Sequence, residues 1–343
     1  MTSQNFAPAK RRIIRANDEL VRTTYLPGDD EHFPLVVEPN VAGVDLINWT
    51  HSHRALIESQ LLQHGAILFR KFDLHSTASF AEFAGVLVPE LLDYRERAAP
   101  RREIFKNVYT STEYPPDQPI PLHHEMSYSH NWPRKIWFYC AQPAQQHGAT
   151  LIASDRKVFK LIDPAIKEQF IGKKVMYVRN FGEGLDLSWQ EAFQTEDRAA
   201  VEQYCRHARM ICEWRDGDRL RTRAVRPAVV THPRTNEIVW FNHAHMFHIS
   251  NVAKPARQAL LAHFEEDELP RNAFYGDGSP IEDSVLNEIR RVYAETAITF
   301  SWQKGDVLLL DNVLASHGRE PFSGPRSILV AMADLYPQIT QIV

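Results

Sequence analysis

The sequence predicts a mainly β domain with flanking helices (α+β), and three observations predict it. Short apolar runs of strand character gather near both ends of the 343 residues. The stretch between them carries the three-to-four-residue apolar spacing of helices. Helix caps and proline-rich breaks punctuate the two kinds of pattern.

In order, residues 1–34 are polar and irregular, ending in GDDEHFP, and are expected as an arm laid over the domain. His51 to Gln63 has helical spacing, with Leu56, Leu61 and Leu62 apolar and His64-Gly65 as its stop. Ala66 to Phe69 reads as a buried strand. Ser76 or Thr77 caps a helix carrying Phe80, Phe83 and Val86 on one face. Pro115, Pro116, Pro119 and Pro121 mark a stiff extended loop. IWFYC from Ile136 and TLIAS from Thr150 are strands joined by a turn containing Gln and Gly. Helices are expected from Ser154-Asp155 to about Phe170, over Thr195–Glu213 with Thr195 as N-cap, near Pro255–Glu268 and over Ile281–Glu295. Strands return with VLLL from Val307 and SILVAMADLY from Ser327. Residues 35–343 then form one domain, interrupted by a mostly helical insertion at about 156–295, with the first and last strands meeting in a β-core.

Composition narrows the class. Apolar residues make up 44% of the chain, enough for a sizeable core, and the net charge is −4 with bases and acids interspersed. That balance calls for neither nucleic acid nor a membrane surface. No run approaches membrane-span length, and the basic start lacks an apolar segment behind it, so a cytoplasmic protein is expected. Cys140, Cys205 and Cys212 are too few and scattered for a disulfide framework and are expected as buried free thiols.

The segment PLHHEMSY, from Pro121 to Tyr128, carries the chemistry. If it is extended, alternate side chains share a face, so His123 and Glu125 point one way and His124 the other. An imidazole and a carboxylate so placed can grip one metal ion, and a third ligand must come from elsewhere. His317 is the candidate: it follows GDVLLLDN and sits at the small-residue turn Ala315-Ser316-His317-Gly318. Two histidines and one carboxylate on one face of an octahedron leave three open positions, the arrangement of non-haem iron(II) oxygenases. Two of those positions can chelate a 2-oxo acid and the third can take O₂.

Among sixteen histidines an H-x-E tripeptide arises easily by chance. The cluster His243, His245 and His248 could equally be mistaken for a metal site, but no carboxylate completes it, and those three read as structural or substrate-side residues. Arg326 changes the balance. It lies nine residues after His317, where a guanidinium can make a two-pronged salt bridge to a dicarboxylate. Thr150 offers a hydroxyl to the same cosubstrate. A zinc deaminase would need P-C-x-x-C after its H-x-E, and Cys140 is followed by Ala-Gln-Pro instead.

HGAILFR (64–70), LHHEMSY (122–128), GATLIAS (148–154) and DNVLASHGREPFSGPR (311–326) together resemble the taurine dioxygenase superfamily of iron/2-oxoglutarate enzymes. The glutamate and HPRTNEIVWFN (232–242) bring the chain closest to the clavaminate synthase-like and syringomycin-type aspartyl hydroxylase branch. The resemblance runs from Leu35 to Leu335. It implies a double-stranded β-helix, or jelly roll, closed over by the insertion. It also implies iron(II) on His123, Glu125 and His317, with 2-oxoglutarate on Thr150 and Arg326 and O₂ as co-reactant. Halogenating relatives carry a small residue in place of the carboxylate ligand; Glu125 implies oxygen transfer. Taurine dioxygenase has a second arginine four residues after the cosubstrate arginine. Val330 stands there, arguing against a sulfonate substrate. The implied partner is an amino-acid-type small molecule, free or bound to a carrier protein, hydroxylated in specialised metabolism. The same site could serve desaturation, epoxidation or cyclisation, and a non-catalytic jelly-roll module is the remote alternative. Position alone suggests Asn107, Tyr109, Ser127 and Asn242 as substrate-side residues.

Overall fold

A computed structural model describes residues 20–26, 32–93, 101–182 and 187–337. Two β-sheets face each other across the core. The major sheet has eight strands in the order Val21–Tyr25, Leu35–Pro39, Ala66–Phe69, Val307–Asp311, Asn131–Gln142, Ser327–Pro337, Val108–Thr110 and Glu103–Phe105. The minor sheet has four: Ile298–Phe300, Thr150–Ser154, Ala315–Arg319 and Ile120–His123. The strand pairs are antiparallel except Leu35–Pro39 with Ala66–Phe69, which run parallel because the helix Leu46–His64 connects them.

The inner strands of the major sheet are buried on both faces, which explains their near-continuous apolar runs. Along Val307–Asp311, Leu308 and Leu310 enter the core shared with the minor sheet, beside Phe138, Ile152 and Val330. Val307 and Leu309 turn the other way, onto Phe80, Phe83, Ile57 and Leu61 of the helices Thr77–Leu87 and Leu46–His64. The long first helix starts earlier than its apolar spacing suggested, because the Asp45 carboxylate accepts hydrogen bonds from the backbone of Ile47 and Asn48. Gly65 ends it in the left-handed conformation, φ 76°.

Several expectations need correction. The helix expected from 155 to 170 is two, Asp155–Leu161 and Pro164–Lys173, since Pro164 cannot continue a helix and Asp163 recaps the chain through Ala165. The helix expected over Thr195–Glu213 is Arg198–His207, capped by Asp197 rather than Thr195, and Ile211–Trp214 is a strand. The expected Pro255–Glu268 helix is Lys254–Leu261, and the Ile281–Glu295 one is Asp283–Thr296. The insertion holds a sheet beside its helices: Ile211–Trp214, Leu220–Arg226, Val175–Phe181 and Arg271–Tyr275 form four antiparallel strands. Its strands carry buried arginines such as Arg179, Arg221 and Arg226, which break the apolar alternation by which strands are recognised. The Ala315–Gly318 segment is strand, not turn. Its small residues allow close backbone approach, for a Cβ on Gly318 would lie 2.6 Å from the Ile120 carbonyl oxygen. The expected arm falls mostly outside the described residues; within it, Val21–Tyr25 pairs with Leu35–Pro39 as the sheet edge. Cys212 is partly exposed, while Cys140 and Cys205 are buried. Among the described residues no helix is long and apolar enough to cross a membrane.

Candidate active site

One cavity is lined from both sheets, by His123, Thr150, His317 and Arg326, together with Arg101, Thr112, Phe138, Arg319 and Ile328. The minor sheet assembles it. His317 stands directly opposite His123 across paired strands, so residues 194 positions apart bring their rings to a 4.4 Å centroid separation. Arg319 pairs with Thr150 across the other edge of the same strand.

Glu125 is not on a strand. The strand ends at His123, and Glu125 lies in the following turn, where Met126 adopts φ 60°. The alternation expected of an extended segment still holds in effect. His124 faces away, buried, with Nε2 2.9 Å from the Asp155 carboxylate. Burial pushes the Asp155 carboxyl upward, opposed by His124. Asn312 fixes the turn: its Oδ1 accepts from the Glu125 N–H at 2.8 Å, and its Nδ2 donates to the Glu125 carbonyl at 2.9 Å.

Ligand atoms of His123, Glu125 and His317 all lie within 4.8 Å of one another, close enough to share one metal ion. Their surroundings suit that use. His123 Nδ1 is 2.8 Å from the Pro121 carbonyl, so that nitrogen carries the proton and Nε2 keeps its lone pair. His317 Nδ1 is a buried polar atom with no hydrogen-bond partner. Burial holds both imidazoles below the usual histidine range, His317 further lowered by His123, so both stay neutral as metal ligands must. Glu125 and His317 are 4% and 6% exposed. The Glu125 Oε2 accepts a hydrogen bond of 2.6 Å from Arg101 Nη2, which also donates to Thr112 Oγ1 at 3.1 Å.

The same cavity suits a dicarboxylate. Arg326 has no carboxylate partner among the described residues, and its Nε is buried without a hydrogen bond. Burial, then the neighbouring Arg319, push its pKa down to about 10, so it is a cation at neutral pH in want of an anion. Gly148 makes room, since a Cβ there would stand 3.4 Å from Arg326 Nε and 2.8 Å from Phe322 Cβ. The Thr150 hydroxyl accepts from the Trp302 indole N–H at 2.8 Å, leaving its own proton to donate. Arg319 donates to the carbonyls of Tyr114, Pro115 and Gln118, tying down the proline-rich loop.

The residues suggested by position alone are engaged by other groups of the chain. Asn107 sits at φ 63° in a hairpin turn and donates to the Leu91 carbonyl. Tyr109 is 1% exposed, its hydroxyl on Asp93. Ser127 hydrogen-bonds His243 Nδ1. Asn242 donates to the Ala228 carbonyl and accepts from the Ala244 N–H. None of the four lines the cavity. His245 and His248 are likewise engaged, His245 Nε2 at the Leu122 carbonyl and His248 Nδ1 at Ser250. Arg101, Thr112 and Asn312 went unnoticed in the sequence: no spacing connects them to the ligand pair, and only the fold brings them there.

Residues 24–332 match the model of the family described as taurine catabolism dioxygenase TauD, TfdA family. The dapdiamide synthesis protein DdaC of Enterobacter agglomerans is 45% identical over 282 residues, covering 82% of this chain and 86% of that protein. A clavaminate synthase-like protein of Arabidopsis thaliana is 30% identical over 323 residues, covering 89% and 94%. PvcB of Pseudomonas aeruginosa shares the fold at a TM-score of 0.56 with 18% identity, covering 92% of each chain. The chain belongs to the TauD/TfdA family of iron(II)- and 2-oxoglutarate-dependent dioxygenases.

Proposed function

We propose that this dioxygenase hydroxylates an unactivated carbon of an amino acid or amino-acid derivative, free or carried on a carrier protein, in specialised metabolism. In this reading His123, Glu125 and His317 hold the iron, and Thr150 and Arg326 hold 2-oxoglutarate. The observation that carries it is a cavity lined by His123, His317 and a buried arginine without a carboxylate partner among the described residues, Arg326, with the Glu125 carboxylate within 4.8 Å of both histidines' ligand atoms. The 45% identity to a dapdiamide synthesis protein supports a substrate from specialised metabolism.

Bound iron(II), 2-oxoglutarate and O₂ supply the oxidising chemistry; the chain supplies placement and protection. The Pro121 carbonyl fixes the His123 tautomer and ring angle. Asn312 sets the Glu125 backbone, so the carboxylate reaches the histidines without a search through conformers. Arg326 neutralises the distal carboxylate of the cosubstrate and fixes its direction, and Thr150 donates its free proton to it. Phe138, whose ring lies 4.9 Å from His317, and Ile328 line the cavity and exclude water.

The test is a succinate-release screen over free amino acids and carrier-bound aminoacyl groups, with Glu125→Ala as control. An amino-acid-type compound should stimulate release with wild type alone, and mass analysis of the product should show one added oxygen. Loss of two hydrogens instead would point to desaturation or cyclisation. Stimulation confined to compounds without an amino-acid skeleton would refute the substrate class.

A further inference from the structure

We infer that Arg101 is a positioning residue that restricts Glu125 to one-oxygen ligation, keeping open a coordination position for 2-oxoglutarate or O₂. The inference rests on the metal site proposed above and adds a role for a residue outside the ligand set.

Arg101 Nη2 stands 2.6 Å from Glu125 Oε2, with the two side chains 3% and 5% exposed. Thr112 Oγ1, 3.1 Å from the same nitrogen, steers it, and Arg101 Nη1 packs 4.0 Å from Met332 Sδ. A carboxylate has two oxygens, and both can turn onto one metal ion. In a two-histidine, one-carboxylate site that would raise the protein's ligands from three to four and leave two open positions where the chemistry uses three. A short, charge-assisted hydrogen bond in a buried setting commits Oε2 to the guanidinium. Oε1 is then the oxygen left for the metal.

The sign of the effect separates this role from simple support of the metal. A guanidinium beside a divalent cation repels it. Asn312 holds the Glu125 backbone independently of Arg101, so the carboxylate stays at the site when the arginine is replaced. Losing Arg101 should therefore leave metal binding intact and weaken the cosubstrate chelate.

The experiment is anaerobic titration of wild type, Arg101→Met and Arg101→Lys, first with Fe(II) and then with 2-oxoglutarate, followed by the visible charge-transfer absorption of the chelate. For Arg101→Met the Fe(II) dissociation constant should stay within about threefold of wild type, while that of 2-oxoglutarate rises about tenfold or more. Arg101→Lys, whose ammonium keeps one bond to Oε2, should fall between. Unchanged 2-oxoglutarate affinity in Arg101→Met overturns the inference, as does a parallel loss of Fe(II) affinity in a variant with wild-type circular dichroism. If Arg101→Met does not fold, Thr112→Val decides: weaker 2-oxoglutarate binding with unchanged Fe(II) binding supports the role, and no change overturns it. Absence of the absorption in wild type would refute the metal-site reading itself, whatever the variants do.

Discussion

Asn312 grips both sides of the Glu125 peptide backbone, accepting from its N–H at 2.8 Å and donating to its carbonyl at 2.9 Å, across 187 positions of sequence. The same Nδ2 donates to the Pro133 carbonyl at 2.8 Å. One amide thus joins the turn carrying the carboxylate to the major-sheet strand beside it and to the segment leading to His317.

Asn312→Ala should leave two buried backbone groups of Glu125 unpaired and cost about 2–4 kcal/mol of stability. Fe(II) or Mn(II) affinity should fall with it, because the turn is no longer pinned. Urea melts and metal titration check both, and full metal affinity in the variant would show that Asn312 does not position Glu125.

Gly318→Ala should be more damaging than its size suggests. The added Cβ would meet the Ile120 carbonyl oxygen at 2.6 Å and the Leu122 amide nitrogen at 3.1 Å, both backbone atoms that cannot swing away. The strands bearing His317 and His123 must part, costing about 1–3 kcal/mol by the usual cost of overpacking. Melts should show the loss of stability, and metal titration should show weaker binding. A stable variant with wild-type metal affinity would mean that the approach is not needed.

Arg326→Gln should raise the KM for 2-oxoglutarate about 100-fold, the loss of a two-pronged charged contact worth roughly 2.7 kcal/mol. Fe(II) affinity should hold, since Arg326 contributes nothing to the metal. Steady-state kinetics against an anaerobic Fe(II) titration separates the two, and an unchanged KM would remove Arg326 from the cosubstrate site.

Acid should destabilise the fold through His248. Burial pushes its pKa down to about 4, and its Nδ1 accepts from the Ser250 N–H at 3.1 Å. An unfolded histidine titrates near 6.5, so between about pH 6.5 and 4 the unfolded chain binds the extra proton and stability falls as pH falls. At pH 5 the loss from this residue is about 2 kcal/mol. His248→Asn keeps an acceptor for the Ser250 N–H and cannot titrate. Its melting temperature should therefore depend less steeply on pH between 7 and 4.5 than that of wild type, and equal slopes would contradict the assignment.

Much of this molecule was open to reading from the chain itself. The strands at both ends follow from apolar runs that no solvated surface tolerates, and the start of the helix Thr77–Leu87 follows from its Ser76 cap. The pairing of His123 with Glu125 followed from two-residue spacing, although the second residue lies on a turn rather than a strand. His317 and Arg326 were identified because they fall, with Gly148 and Thr150, in ordered motifs.

What stayed hidden is what depends on distance through space. Three strands of the insertion sheet carry no strand signal in the sequence, and Ile211–Trp214 falls largely within an expected helix, because buried arginines imitate a solvated face, their charges being satisfied by partners far away in sequence, as when Arg221 meets Asp267 at 2.8 Å. Asn107, Tyr109, Ser127 and Asn242 were expected on the substrate side by position alone, but none is among the residues that line the cavity, each being engaged by other backbone or side-chain groups. Local spacing determined which side chains could bind a metal and roughly where each strand begins. Only the tertiary structure decided that Arg101 lies against Glu125 and Asn312 beneath it, because a hydrogen bond depends on separation in space and is indifferent to separation along the polymer.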